Sequence, residues 1–213
     1  MSIADSAMLE ELLTPLARFI NDADLNEISV NRPFEVWVEN RDGWKVYNVP
    51  ELTYEYCEHL ASLIANFNNK GIAANNPVLS GSLPNGERVQ VLIPPACEKG
   101  TVSITIRKPS VLTKTLEELD NEGAFSQIRE LVDGLQEHEH ELIKLKEQRK
   151  IKEFLDLAVR SKQNILIVGQ TGSGKTTVAK SLALSIPTDE RLITIEDVRE
   201  LFLDSHPNRV HLL

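Results

Sequence analysis

The chain has only two cysteines in 213 residues, Cys57 and Cys97, and they lie too far apart for metal-ligand or redox spacing. Two reduced thiols in a cytosolic protein is the reading they support, with no zinc pattern and no disulfide framework. Positive charge is also short: 23 Lys and Arg stand against 32 Asp and Glu, a formal net charge of −9. That balance argues against a surface that wraps nucleic acid. No basic, aromatic-interleaved segment offers a single-strand groove either, so no direct, stable nucleic-acid binding is expected. No apolar run reaches membrane-span length, and Met1-Ser2-Ile3-Ala4-Asp5 lacks the basic region and apolar core of an export signal. Internal repeats are absent as well. With 41% hydrophobic and 26% charged residues, the composition is that of an ordinary globular protein.

One motif stands out against this background. Gly169-Gln170-Thr171-Gly172-Ser173-Gly174-Lys175-Thr176 fits G-x-x-x-x-G-K-[ST] at every position. Such a loop must curl so that successive backbone N–H groups converge on phosphate oxygens, and a Cβ at its glycines would obstruct the turn or the phosphates. Lys175 is expected to reach the β- and γ-phosphates of ATP. Thr176 is the expected hydroxyl ligand of Mg²⁺, and Thr177 closes the binding segment. Asn164-Ile165-Leu166-Ile167-Val168 before the loop reads as a strand buried in a parallel sheet. Lys175 to Ser185 after it is helix-compatible, so phosphates would meet a helix N-terminus. Residues 1–163 precede this segment, and the stretch from Thr177 to Leu213 is too short for the further strands of a P-loop fold. The chain is therefore expected to be a fragment, or to lack a C-terminal part.

Upstream, Leu9, Leu12, Leu13, Leu16 and Ile20 share a helical face, with Pro15 kinking the helix or starting a second one after Thr14. Phe34–Val38 and Trp44–Tyr47 alternate across Asn40-Arg41-Asp42-Gly43, a hairpin pattern. Thr53 offers an N-cap to a helix with Tyr56, Leu60, Leu63, Ile64 and Phe67 at helical spacing. Val78–Ser80, Arg88–Ile93 and Ser103–Arg107 read as further strands. Residues 111 to 163 read as helical and charged. Thr115-Leu116-Glu117-Glu118 is a capping box there, and Ile151, Phe154, Leu155, Ala158 and Val159 form an apolar stripe. His138 and His140 are two apart on a helix and cannot chelate one ion together. The predicted class is α/β: an α+β domain at 1–110, a helical charged linker at 111–150, and from 151 to 213 the incomplete beginning of a RecA-like P-loop ATPase domain.

Asn31-Arg32-Pro33, Leu83-Pro84-Asn85-Gly86-Glu87-Arg88, Pro94-Pro95, Ser103-Ile104-Thr105-Ile106-Arg107-Lys108-Pro109, the P-loop, and Arg191-Leu192-Ile193-Thr194-Ile195-Glu196-Asp197-Val198-Arg199-Glu200-Leu201 follow one another in this order. In this combination the chain resembles the hexameric traffic ATPases of bacterial type IV secretion systems, within the wider type II and type IV secretion ATPase superfamily. The resemblance implies an N-terminal α/β domain, a linker and a RecA-like domain, assembled as a homohexamer of two stacked rings with nucleotide between the domains. It implies ATP and Mg²⁺ as ligands and a place at the cytoplasmic face of the inner membrane. Other type IV secretion ATPases, the coupling protein and inner-membrane channel components are the implied partners. Arg88 and Arg107 match family arginines that extend from the N-terminal domain to the phosphates. The last stretch matches the family's acidic box, while its Walker B and histidine-containing box fall beyond Leu213.

The chemistry of the residues agrees. Glu196 and Asp197 end an apolar strand, the edge at which parallel sheets bind ligands. A carboxylate there can orient an attacking water or organise the Mg²⁺ shell, directly or through water. Guanidinium forks suit phosphate oxygens, so Arg88 and Arg107 are candidate catalytic residues beside Lys175 and Glu196. The expected activity is ATP hydrolysis that drives pilus assembly or the export of DNA or protein. Three other readings stay open at this level: a type II secretion or pilus-retraction ATPase, a RecA-type nucleic-acid translocase, and a scaffold that binds ATP with negligible turnover.

Overall fold

The computed structural model describes residues 3–109, 115–126, 128 and 134–213, with the side chains of 3–6 left aside. Its contacts fall into two units: Met1–Pro109 with Thr188–Leu213, and Ser110–Pro187.

The first unit opens with α1 (Ile3–Leu12) and α2 (Thr14–Ile20), and Pro15 sits in the first turn of α2. A proline costs nothing there, because its missing N–H would have had no helical partner. Leu9, Leu13, Leu16 and Ile20 are buried, as their spacing predicts. Strands β1 (Glu27–Val30), β2 (Glu35–Asn40), β3 (Gly43–Asn48), β4 (Val78–Ser82), β5 (Arg88–Leu92) and β6 (Ser103–Arg107) form one antiparallel sheet in the order β3-β2-β1-β6-β5-β4. The β2–β3 turn places Gly43 at φ 108°, a left-handed conformation that suits glycine. Helix α3 (Tyr54–Phe67) is capped by the Thr53 hydroxyl, which accepts from Tyr56 N at 3.1 Å. Its Leu60 and Ile64 join Ile28, Val91, Ile104 and Ile106 in the core, all 0% exposed. Each such side chain contributes about 1.5–3 kcal/mol by leaving water.

Alternation along the strands then fixes the other face of the sheet. Because Ile104 and Ile106 point into the core, Thr105 and Arg107 point away from it. The segment after Thr188 attaches to this unit through β7 (Leu192–Ile195) and β8 (Arg209–Leu212), a parallel pair. Arg191 binds Glu27 and donates to the Thr105 hydroxyl at 3.2 Å, while Arg199 binds Glu98. Asn31 donates to Asn208 Oδ1 at 2.9 Å, and Cys97 bridges to Leu212. Strand β8 was not among the elements the sequence predicted. β7 also differs from its buried reading: Thr194 is buried, but Ile193 and Ile195 are 56% and 83% exposed. A two-stranded sheet packed on one side leaves its alternate residues outside.

The second unit is helical: α4 (Leu116–Asn121), α5 (Glu137–Glu147), α6 (Ile151–Arg160) and α7 (Lys175–Ala183). The predicted box at Thr115 is formed, with Thr115 N donating to Glu118 Oε2 at 2.7 Å and Glu118 N to Thr115 Oγ1 at 3.2 Å. In the stripe on α6, Ala158 is buried and Ile151 is exposed. His138 meets Gln163 at 3.1 Å, and no group of metal-ligating side chains exists among the described residues. Asn164–Val168 departs from its predicted strand: it belongs to no ladder, and Leu166 and Val168 are 88% and 81% exposed. A strand needs a neighbour to bond with, and the described part of this unit contains none. No described helix is long and apolar enough to cross a membrane.

Candidate nucleotide loop, carboxylate and arginine pair

The loop at Gly169 belongs to the second unit. Gly172 and Gly174 take φ of 80° and 87°, so both need the left-handed freedom that side chains oppose. A Cβ at Gly169 would run into the Ser173 hydroxyl, which would have to turn away. Gly174 is the N-cap of α7, which puts the unpaired N–H groups of the first helical turn, at Lys175, Thr176 and Thr177, beside the loop. The Lys175 ammonium donates to the carbonyls of Gly169 and Gln170, each at 2.8 Å. The loop is thus bound across by its own lysine. Thr171 and Ser173 are exposed, and Ser173 N donates to Gln170 O at 3.2 Å.

Glu196 and Asp197 belong to the first unit and differ sharply. Glu196 Oε2 accepts from Glu200 N and Leu201 N, both at 2.9 Å, so the loop after β7 wraps around the carboxylate. Glu196 Oε1 is turned inward, 3.8 Å from His211 Nδ1. Burial alone would raise this carboxyl. The two backbone N–H donors and the Thr194 hydroxyl outweigh it and hold the group below its ordinary range. Asp197 is exposed and makes no hydrogen bond or ion pair among the described residues.

Arg88 and Arg107 are brought together by the sheet. They are direct cross-strand partners on β5 and β6, and Glu27 of β1 lies opposite Arg107 on its other side. Both arginines are exposed and without a bonded partner among the described residues. Like charges directly opposite repel, so the pair is a feature that an anion would stabilise. Arg191 reaches the same face, through Glu27 and Thr105.

The family model described as "Type II/IV secretion system protein" matches residues 10–212. The chain belongs to that family. Among its relatives, the type IV secretion system protein VirB11 of Brucella suis is 48% identical over 94% of this chain and 55% of its own length. The VirB11 protein of Bartonella henselae is 41% identical over 94% of this chain and 59% of its own. The crystal structure of the VirB11 ATPase from the Brucella suis type IV secretion system, in complex with sulphate, superposes with a TM-score of 0.92 at 47% identity, over 96% of this chain and 63% of that one. The chain thus spans little more than half the length of these curated relatives. As a secretion-family member it is α/β, and the superposition covers both units described above.

Around the carboxylate, Arg191, Thr194 and Arg199 lie within the acidic-box stretch but carry no assigned role there, and His211 is not among the candidates. Thr194 and His211 are direct partners in the β7–β8 register, and Thr194 Oγ1 lies 2.8 Å from His211 Nδ1. Arg191 and Arg199 flank β7 and tie it to acids far away in the chain, Glu27 and Glu98. Only pairing a short polar strand, Arg209–Leu212, with β7 could have exposed the first two. Nothing in local spacing marks the others.

Proposed function

We propose that this chain forms the nucleotide-responsive part of a type IV secretion ATPase, which hydrolyses ATP to drive pilus assembly or the export of DNA or protein. The observation that carries the proposal is the loop at the head of α7, with two left-handed glycines and a lysine whose ammonium is held by the loop carbonyls alone. An ammonium so placed can exchange those carbonyls for phosphate oxygens, and the helix N-terminus adds N–H donors. Gly169 to Thr177 would cradle the phosphates. The Thr176 hydroxyl and a carboxylate, Glu196 or Asp197, would serve Mg²⁺ as oxygen donors, directly or through water; Thr176 and Asp197 have no side-chain partner among the described residues. Bound Mg²⁺ would supply positive charge against the triphosphate. Glu196, kept ionised by its loop, is the group to orient the attacking water.

Arg88 and Arg107 would bind the phosphates from the N-terminal domain, so loss of the γ-phosphate releases that domain and turns hydrolysis into motion. Domain limits of 1–110, 111–150 and 151–213, the last opening a RecA-like domain, belong to this reading. So do a homohexamer peripheral to the cytoplasmic face of the inner membrane, and contacts with sister ATPases, the coupling protein and channel components. The relatives named as type IV secretion system proteins support it.

The arginines give the reading its test. In the full-length protein, Arg107→Ala should leave the P-loop intact yet reduce the preference for a triphosphate analogue over ADP. Each guanidinium–phosphate hydrogen bond contributes about 1.5–3 kcal/mol. Arg88→Ala should act in the same direction, and the double variant less than additively, because both serve one phosphate cluster. If both single variants keep the wild-type ratio of affinities, the clamp fails.

A further inference from the structure

Beside the carboxylate lies a buried polar group that the proposed ATPase reading does not use. His211 is 3% exposed and Thr194 is 8% exposed. The His211 Nδ1–Thr194 Oγ1 contact is 2.8 Å, and Nδ1 is 3.8 Å from Glu196 Oε1. Glu196 follows β7 directly, two residues after Thr194, and its N–H still donates to Leu212 O at 3.0 Å, so the strand's alternation places both on one side. Both His211 Nε2 and Glu196 Oε1 are buried without a hydrogen-bond partner among the described residues.

Counting protons decides how such a group is arranged. A neutral imidazole carries one N–H and the hydroxyl carries one O–H. If the ring proton were on Nε2, a donor would be buried with no acceptor. Nδ1 would then take the Thr194 O–H, and Glu196 Oε1 would face no donor at all. With the proton on Nδ1, the ring donates to Thr194 Oγ1 and the hydroxyl hydrogen is free to turn toward Glu196. Nε2 is then an unmatched acceptor, which costs less than an unmatched donor. Burial first, then the nearby Arg199 and Arg209, push the ring's pKa below its ordinary value against the opposing pull of Glu98 and Glu196, which favours the neutral imidazole.

We propose that His211 is a positioning residue for Glu196: a neutral imidazole protonated on Nδ1, acting through the Thr194 hydroxyl to fix the orientation of the carboxylate. The loop N–H groups of Glu200 and Leu201 hold one oxygen, and the His211–Thr194 pair sets the other. The catalytic consequence rests on the ATPase reading; the proton placement does not.

Two measurements test it. Ring nitrogen resonances of the ¹⁵N-histidine-labelled full-length protein at neutral pH should identify Nδ1 as the protonated nitrogen of His211. Protonation on Nε2 would overturn the proposal whether or not the protein hydrolyses ATP. In the full-length protein, His211→Leu should lower kcat by about 10–100-fold, the range for removing a residue that orients a catalytic ligand, and leave ATP affinity within about twofold. His211→Asn places an amide N–H where Nδ1–H was and should restore most of that loss. Wild-type kcat in His211→Leu, or no difference between Leu and Asn, contradicts the positioning role. A wild-type protein that binds no ATP contradicts the ATPase reading instead, and the resonance measurement still decides the proton.

Discussion

Replacing Lys175 with alanine should nearly abolish ATP hydrolysis by the full-length protein while leaving its fold intact. The loop is shaped by Gly172 and Gly174 in left-handed conformations, which the substitution does not touch, and α7, which begins at Lys175, accepts alanine there without loss of helix propensity. What is lost is an ammonium that bridges two carbonyls, exposed interactions that add little stability. In the nucleotide complex the same ammonium would offset charge on the β- and γ-phosphates. A charge-assisted hydrogen bond is worth about 1.5–3 kcal/mol, so affinity should fall by roughly 10- to 150-fold. Turnover should fall further, because the charge grows as the γ-phosphate leaves. Wild-type hydrolysis by Lys175→Ala would sink the assignment, provided that thermal unfolding confirms an unchanged fold.

Glu196→Gln should separate chemistry from binding. Glutamine keeps an oxygen for the N–H groups of Glu200 and Leu201, so the loop after β7 should hold its shape. It loses the negative charge that these donors and Thr194 maintain. ATP should bind with near wild-type affinity, while turnover drops by a factor of about 10² or more, as for removal of an acid–base group. Weak binding with normal turnover per bound nucleotide would make Glu196 a structural residue, its carboxylate serving only to fold the loop that follows β7.

The two halves of the chain were unequally legible. In the N-terminal sheet, strands such as β5 and β6 alternate because one face packs on the helices, so burial there is written locally. Thr53 and Thr115 cap their helices through contacts three residues away, which spacing reveals directly. The region after Gln163 differs. Asn164–Val168 has the composition of a buried strand, but composition cannot supply the neighbouring strand that burial requires. Arg209–Leu212 has the opposite problem. Pro207 and Asn208 are loop-forming residues directly before it, and it is a strand because β7 lies beside it. At the candidate site, the loop Gly169–Thr176 stands out in the sequence because its pattern is carried by consecutive residues. The contacts of Arg191 with Glu27 and Thr105, and of His211 with Thr194, arise from tertiary placement and leave no periodic trace. The facing of Arg88 and Arg107 lies between these cases, since each was a candidate alone and the strand register makes them a pair.

Equilibrium binding tests the central claim, that Gly169 to Thr177 holds a nucleoside triphosphate by its phosphates. A fluorescent ATP analogue is titrated into the full-length protein with Mg²⁺, then competed with ATP, ADP and adenosine. The account predicts saturable binding that ATP displaces best, ADP less well and adenosine not at all, and that Lys175→Ala weakens at least tenfold. Displacement by adenosine as effective as by ATP, or equal analogue affinity in wild type and Lys175→Ala, would contradict it.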